Sequence, residues 1–203
     1  MQDRLAYLQL VRNEQVSCGI RVLAFCLMTN HVDFVVVPER EDSAAVLFRR
    51  VNGRYAQYVN VRRERVGHLW QNRYRSGIVA ADHEWTVIGY VERNPVRAQM
   101  VLRPEDYRWS SARAHLTGVD ESGILDMEYW RSTGGRERWE CLLTDRDELM
   151  EMRRLEAATY AGRPYGGEEF VAEMQAKFSR RWVGVNGLRG EEKARDGAVW
   201  SGA

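Results

Sequence analysis

His31, Val32 and Asp33 stand where a strand is expected to begin, and a period of two puts the imidazole and the carboxylate on one face with Val32 turned into the core. Side by side, the two can hold one divalent ion. Further along, Tyr90 and Asn94 are four residues apart in a segment of helical pattern and so share a face. A phenol can attack phosphorus, and an amide carbonyl can complete a metal shell. Each pair also has a plainer reading. A single His-x-Asp pair recurs by chance, and lone tyrosines on helices are usually half-buried packing residues. His68, His83 and His115 have no partner at metal spacing and are expected as surface or packing residues.

The elements that must position these groups can be read from periodicity. Leu5, Leu8 and Val11 predict a helix over 3–13. Two apolar runs, 22–28 and 34–37, are separated by a short segment containing Thr29, Asn30 and His31, and they read as a β-hairpin or two adjacent strands. Ser43 can cap a helix in which Leu47, Val51, Tyr55 and Tyr58 recur at three- and four-residue steps. Residues 69–79 alternate, with Trp70, Asn72, Tyr74 and Ser76 on one side and Gln71, Arg73 and Arg75 on the other, as in a strand with one face free for a ligand. Asp82 then caps a helix through Trp85, Val87, Ile88 and Val91 that has to end near Asn94, because Pro95 disfavours helical geometry in the residue before it. Helices are expected again over 146–160 and 168–181. Strands and helices are intermixed, so the class is α+β.

The chain has 203 residues, 44% of them hydrophobic, and no run approaches the length needed to span a bilayer. The first residues carry no basic segment leading into an apolar run, so the cytoplasm is the expected compartment. Cys18, Cys26 and Cys141 lack disulfide or zinc spacing and are expected to pack. The net charge of +1 hides an asymmetry. Between Ser43 and Val79 eight arginines face the single acid Glu64, whereas from Val119 to Gln175 fourteen acids face seven arginines. That distribution suggests a polyanion partner for the first half, or else two charged helix faces that meet each other. The organisation expected is a principal domain over 1–118, an accessory helical region over 119–183 and a disordered tail over 184–203.

Three linked motifs carry a resemblance: Cys26-Leu27-Met28-Thr29-Asn30-His31-Val32-Asp33, then Gly67-His68-Leu69-Trp70-Gln71-Asn72-Arg73-Tyr74, then Tyr90-Val91-Glu92-Arg93-Asn94-Pro95-Val96-Arg97-Ala98. In this order and at these intervals they resemble the REP-associated tyrosine transposases, within the HUH single-strand nucleases that use one catalytic tyrosine per chain. The resemblance covers roughly 24–117, including Asp106-Tyr107-Arg108-Trp109-Ser110-Ser111, and Gly162-Arg163-Pro164 looks like an extension found in longer members.

What it implies is a ferredoxin-like antiparallel sheet with helices on one face, Tyr90 as nucleophile, and Mg²⁺ or Mn²⁺ held by His31, Asp33 and Asn94. It further implies cleavage and rejoining of single-stranded or hairpin DNA, such as REP-like inverted repeats, through a 5′-phosphotyrosine, by a homodimer or a monomer. Arg49, Arg50, Arg54, Arg62, Arg63, Arg73 and Arg75 become the expected phosphate contacts, and Tyr55, Tyr58, Trp70 and Tyr74 the expected base-stacking groups. Trp70 is expected in the core ahead of any stacking role. The chain departs from the pattern at Asp33, where a second histidine is usual, at Thr29, where a proline is usual, and in starting at or inside the first helix, where members have a strand upstream. These departures keep a second function open, that of an inactive hairpin-binding protein, and a third reading, a remnant that folds poorly.

Overall fold

The computed structural model describes residues 2–72, 74–144 and 148–182. Helix α1 (Gln2–Glu14) leads into a hairpin of β1 (Ile20–Leu27) and β2 (Val32–Pro38), and the long helix α2 (Ser43–Arg62) follows. An irregular stretch separates α2 from α3 (Glu84–Glu92) and the single turn α4 (Asn94–Arg97). The rest is helical: α5 (Ala112–Thr117), α6 (Met127–Ser132), α7 (Gly135–Thr144), α8 (Glu148–Tyr160) and α9 (Glu168–Lys177).

The class is α+β, built around an antiparallel pair in which Cys26 stands opposite Asp33 and Leu27 opposite Val32. A register irregularity between Val22 and Ala24 inserts a residue, so Val22 and Phe25 turn to the same side. With Ile20 and Leu27 they pack against Tyr7, Leu8 and Val11 of α1 and Leu47 and Val51 of α2. Leu23 and Ala24 turn the other way, onto Ile88 of α3. Helices thus cover both faces of the hairpin, where one face was expected. The physical reason is that β1, apart from Arg21, is apolar on both sides and leaves neither face for water.

Among the described residues the sheet has two strands. The free edge of β1 is closed by backbone bonds, Leu27 N–H to Trp109 O at 2.8 Å, Ser111 N–H to Phe25 O at 3.0 Å and Asp126 N–H to Val22 O at 2.8 Å. The outer edge of β2 opens instead on a groove of about 410 Å³ lined by Val35, Val37, Phe48, Ile78 and Val87 among others. Leu125, Asp126 and residues of α7 and α8 pack onto β1 and α3, so the 119–183 region contributes to the same core.

Several local expectations need correction. Among the described residues of 69–79 there is no strand; Val79 makes an isolated bridge, to Tyr165. The alternating side chains there are spent on packing: Trp70 lies against Tyr7 and Tyr55, and its indole N–H donates to Asn52 O at 2.9 Å. Ser43 is inside α2 rather than capping it, and its hydroxyl accepts from Arg40 N–H at 3.2 Å. Asp82 sits in a 3-10 turn before α3, where it pairs with His83 instead of capping. Cys18 and Cys26 are buried as expected, whereas Cys141 is exposed. Arg73 and the tail expected over 184–203 lie outside the described residues. No helix among the described residues is long and apolar enough to cross a membrane.

Candidate active site

The hairpin and α3 bring the sequence-predicted groups together. Pairing with β1 turns Asp33 away from α2 and towards α3, where it is wholly buried. His31, just before β2, holds its Nε2 3.4 Å from Asp33 Oδ2, while its Nδ1 lies 2.7 Å from Asn30 Oδ1. The α3 helix ends at Glu92, one turn of α4 starts at Asn94 with Pro95 in its first turn, and this break aims the Asn94 amide N–H at Asp33 Oδ2. His31 Nε2 and Asp33 Oδ1 are both buried without a hydrogen-bond partner. Two orphaned acceptors side by side suit a divalent cation, which would satisfy both. Asn94 presents a different face: its carbonyl accepts from Arg97.

Burial pushes the Asp33 carboxyl up from 3.8 to about 6, against the opposing pull of His31 and Arg97. The sign follows directly. In the metal-free protein the folded state holds its proton more tightly than the unfolded chain, so the burial penalty is absent at pH 4 and fully felt above pH 6. Asp33→Asn should therefore raise the melting temperature of chelator-treated protein by about 5–10 °C at pH 8, since one pKa unit is worth about 1.4 kcal/mol. Near pH 4 the gain should vanish. An equal gain at both pH values would mean that Asp33 carries no buried charge.

Tyr90 is 1% exposed. It shares a cluster with Cys26, Val91, Leu155 and Ala158, its hydroxyl donates to Glu156 Oε1 at 3.1 Å, and the Arg97 guanidinium stacks 3.9 Å from the ring centroid. Arg97 also donates to Tyr90 O at 2.8 Å, so it ties α3 to α4. Burial is the largest influence on the phenol and holds its pKa well above the ordinary value, although Arg97 pulls the other way.

Neither Arg97 nor Glu156 stood out in the sequence. Nor did the anchor beneath the site, where Glu92 accepts from Ser111 and from the Trp139 indole, and His115 Nδ1 lies 2.6 Å from Glu92 Oε1. His115 also stacks on Trp130 at 3.7 Å. Ser111, Glu92 and His115 have the composition of a hydrolytic triad, yet Glu92 and Ser111 are completely buried, so the network fastens α3 to α5 and α7. The one legible signal was an acid closing the apolar run of α3.

The expected DNA contacts divide into two sets. On α2, Arg49 is exposed, Arg50 and Arg54 pair with Glu14, and Arg62 and Arg63 pair with Asp3, so α1 offsets part of the basic face. This face lies across the hairpin from Tyr90. Arg75 is half-buried. Tyr55 packs on Tyr7 at 5.0 Å, Tyr58 lies 6.2 Å from Tyr55, and Tyr74 lies 5.3 Å from Phe48. Of these aromatic residues, Tyr55 and Trp70 pack against the core of α1, α2 and the hairpin.

Comparison with curated proteins gives no match, and comparison with solved structures gives none either. The family model described as "Transposase IS200 like" matches residues 2–94, a span that contains His31, Asp33 and Tyr90 and ends on Asn94. Over that span the chain is similar to the IS200-like transposases.

Proposed function

We propose that this protein is a transposase that cleaves and rejoins single-stranded or hairpin DNA with Tyr90 as its nucleophile. The observation that carries the reading is that His31 and Asn94 meet on Asp33, with Tyr90 joined to them through Arg97, which stacks on its ring and donates to Asn94. His31 and Asp33 are the residues to hold Mg²⁺ or Mn²⁺, and Asn94 stands beside them as the remaining polar group. A cation bound there supplies charge to polarise the scissile phosphate. Asp33 in place of histidine makes the pair harder and suits Mg²⁺.

In the reaction the Tyr90 oxygen bonds to phosphorus as its proton passes to solvent, and the bond from phosphorus to the 3′ oxygen breaks as that oxygen takes a proton from solvent. The products are a 5′-phosphotyrosine and a free 3′-hydroxyl, so the bond energy is retained for rejoining. Asn94 holds Asp33 in place, and Arg97 fixes both Asn94 and the Tyr90 backbone. The resemblance to REP-associated members, including Gly162-Arg163-Pro164, supports hairpins formed by inverted repeats as targets. It also supports a cytoplasmic homodimer or monomer.

Incubated with Mg²⁺ or Mn²⁺ and a labelled hairpin with single-stranded flanks, the protein should form an adduct that survives denaturing detergent. Fully paired duplex of the same sequence should give none. Cleavage without any adduct would refute a covalent tyrosine mechanism. One observation favours a second reading, an inactive hairpin-binding protein: the Asn94 carbonyl is already taken by Arg97. That reading predicts hairpin binding with neither adduct nor cleavage at any metal concentration.

A further inference from the structure

Asn94 has one side-chain atom to offer a cation, its amide carbonyl oxygen, and that atom is engaged elsewhere. The amide N–H donates to Asp33 Oδ2, while Oδ1 accepts from Arg97 Nη2. Neighbours on both sides dictate this orientation, because a carboxylate accepts and a guanidinium only donates. Turning the amide over would set oxygen against oxygen at Asp33 and N–H against N–H at Arg97. Arg97 is itself held independently: its Nη1 donates to Tyr90 O at 2.8 Å, and the guanidinium lies 3.9 Å from the centroid of the Tyr90 ring. Among the described residues no group of three or more histidines, cysteines and acids could hold a metal ion. The Asn94 carbonyl therefore decides whether His31 and Asp33 gain a third protein ligand.

We propose that Arg97 is a positioning residue that withholds the Asn94 carbonyl from a cation at His31 and Asp33 and so keeps the coordination shell open. The inference rests on the reading of that pair as the metal-binding groups. His31 Nε2 and Asp33 Oδ1, both buried and without a hydrogen-bond partner, are the atoms a divalent ion finds uncommitted. Two protein ligands leave the rest of an octahedral shell to water and to a substrate phosphate, an arrangement that suits Mg²⁺. A third would hold the ion more tightly and take one of the open positions. The Arg97 charge acts in the same direction, since it reaches Asp33 and opposes a second cation beside it. The planar fork matters too, because it donates to Tyr90 O and Asn94 Oδ1 at once from fixed directions. The nucleophile's helix α3 and the amide on α4 are thereby set by one side chain that touches neither His31 nor the ion.

The test is metal affinity, measured on the full chain without DNA. Chelator-treated protein is titrated with Mn²⁺ alone and the free ion is followed by its electron paramagnetic resonance signal, for the wild type, Arg97→Met, Asn94→Ala and the double variant. Methionine keeps an unbranched apolar stem against the Tyr90 ring and removes both the donors and the charge. Circular dichroism and a melting curve verify the fold, and Arg97→Leu gives the same comparison should that variant melt early. With the Asn94 amide present, Arg97→Met should tighten Mn²⁺ about tenfold or more, by freeing a carbonyl held in a charge-assisted bond and removing a repelling charge. In the Asn94→Ala background the same substitution should tighten it by less than about threefold, the share of the charge alone. Looser binding on loss of Arg97 in both backgrounds would make its role merely structural and overturn the proposal. An equal gain in both would also overturn it, because Asn94 then has no part. If none of the four proteins binds Mn²⁺, His31 and Asp33 are not a metal site, and the inference falls together with that reading. The comparison contains no DNA, so its outcome is separate from the role of Tyr90.

Discussion

Tyr90→Phe should abolish the covalent protein–DNA adduct while leaving hairpin affinity within about threefold, because the change removes one oxygen and one hydrogen bond of about 1 kcal/mol. The ring that fills the space between Cys26, Val91 and Leu155 is retained, so the fold stands. Removing a nucleophile costs at least about 10⁴-fold in rate, which places residual adduct below detection. The same substitution also deletes the hydroxyl that Glu156 holds. Undiminished adduct from Tyr90→Phe would remove this residue from the chemistry.

The second large effect belongs to Asp33. Asp33→Ala leaves His31 as the lone ligand on the hairpin, and metal-dependent cleavage should fall by more than about 100-fold even at high metal concentration. The fold should not suffer, since the substitution removes a buried carboxylate whose burial is unfavourable above pH 6. Loss of activity with retained or raised stability is a combination that simple misfolding does not produce. Asp33→His should keep cleavage and move the preference from Mg²⁺ towards Mn²⁺, as a softer nitrogen replaces oxygen. If the wild type cleaves poorly with either metal and Asp33→His restores activity, the carboxylate is damage instead of adaptation. Equal cleavage by all three proteins would mean that Asp33 is not a ligand.

Much of what positions the site was legible because it depends on short-range pattern. The two apolar runs around His31 gave the hairpin within a few residues of β1 and β2, and Pro95 marked the end of α3. Period two placed His31 and Asp33 together, whereas Tyr90 and Asn94, expected on one helix, stand on α3 and α4 and share Arg97 as a partner. What stayed hidden depends on distant partners. Glu156 is 66 residues from Tyr90, and an acid on a helix has no local pattern that distinguishes a hydrogen-bond partner of a buried phenol from a solvated face. The alternation over 69–79 read as a strand because Trp70 and Tyr74 are β-favouring, yet their rings are claimed by α1 and α2, and the backbone pairing described there is confined to its end, where Ile78 accepts from Tyr165. Likewise the arginines of α2 read as a free basic face, because nothing local announces that Glu14 and Asp3 of α1 would be laid beside them.

The central claim is that Tyr90 carries the DNA. Adduct formed by the protein on a labelled hairpin can be trimmed with nuclease and protease and the modified peptide sequenced by mass spectrometry. The nucleotide should be found on Tyr90 through its 5′-phosphate, with a 3′-hydroxyl on the released strand. Attachment to any of the other eight tyrosines of the chain, or through a 3′-phosphate, would contradict the account.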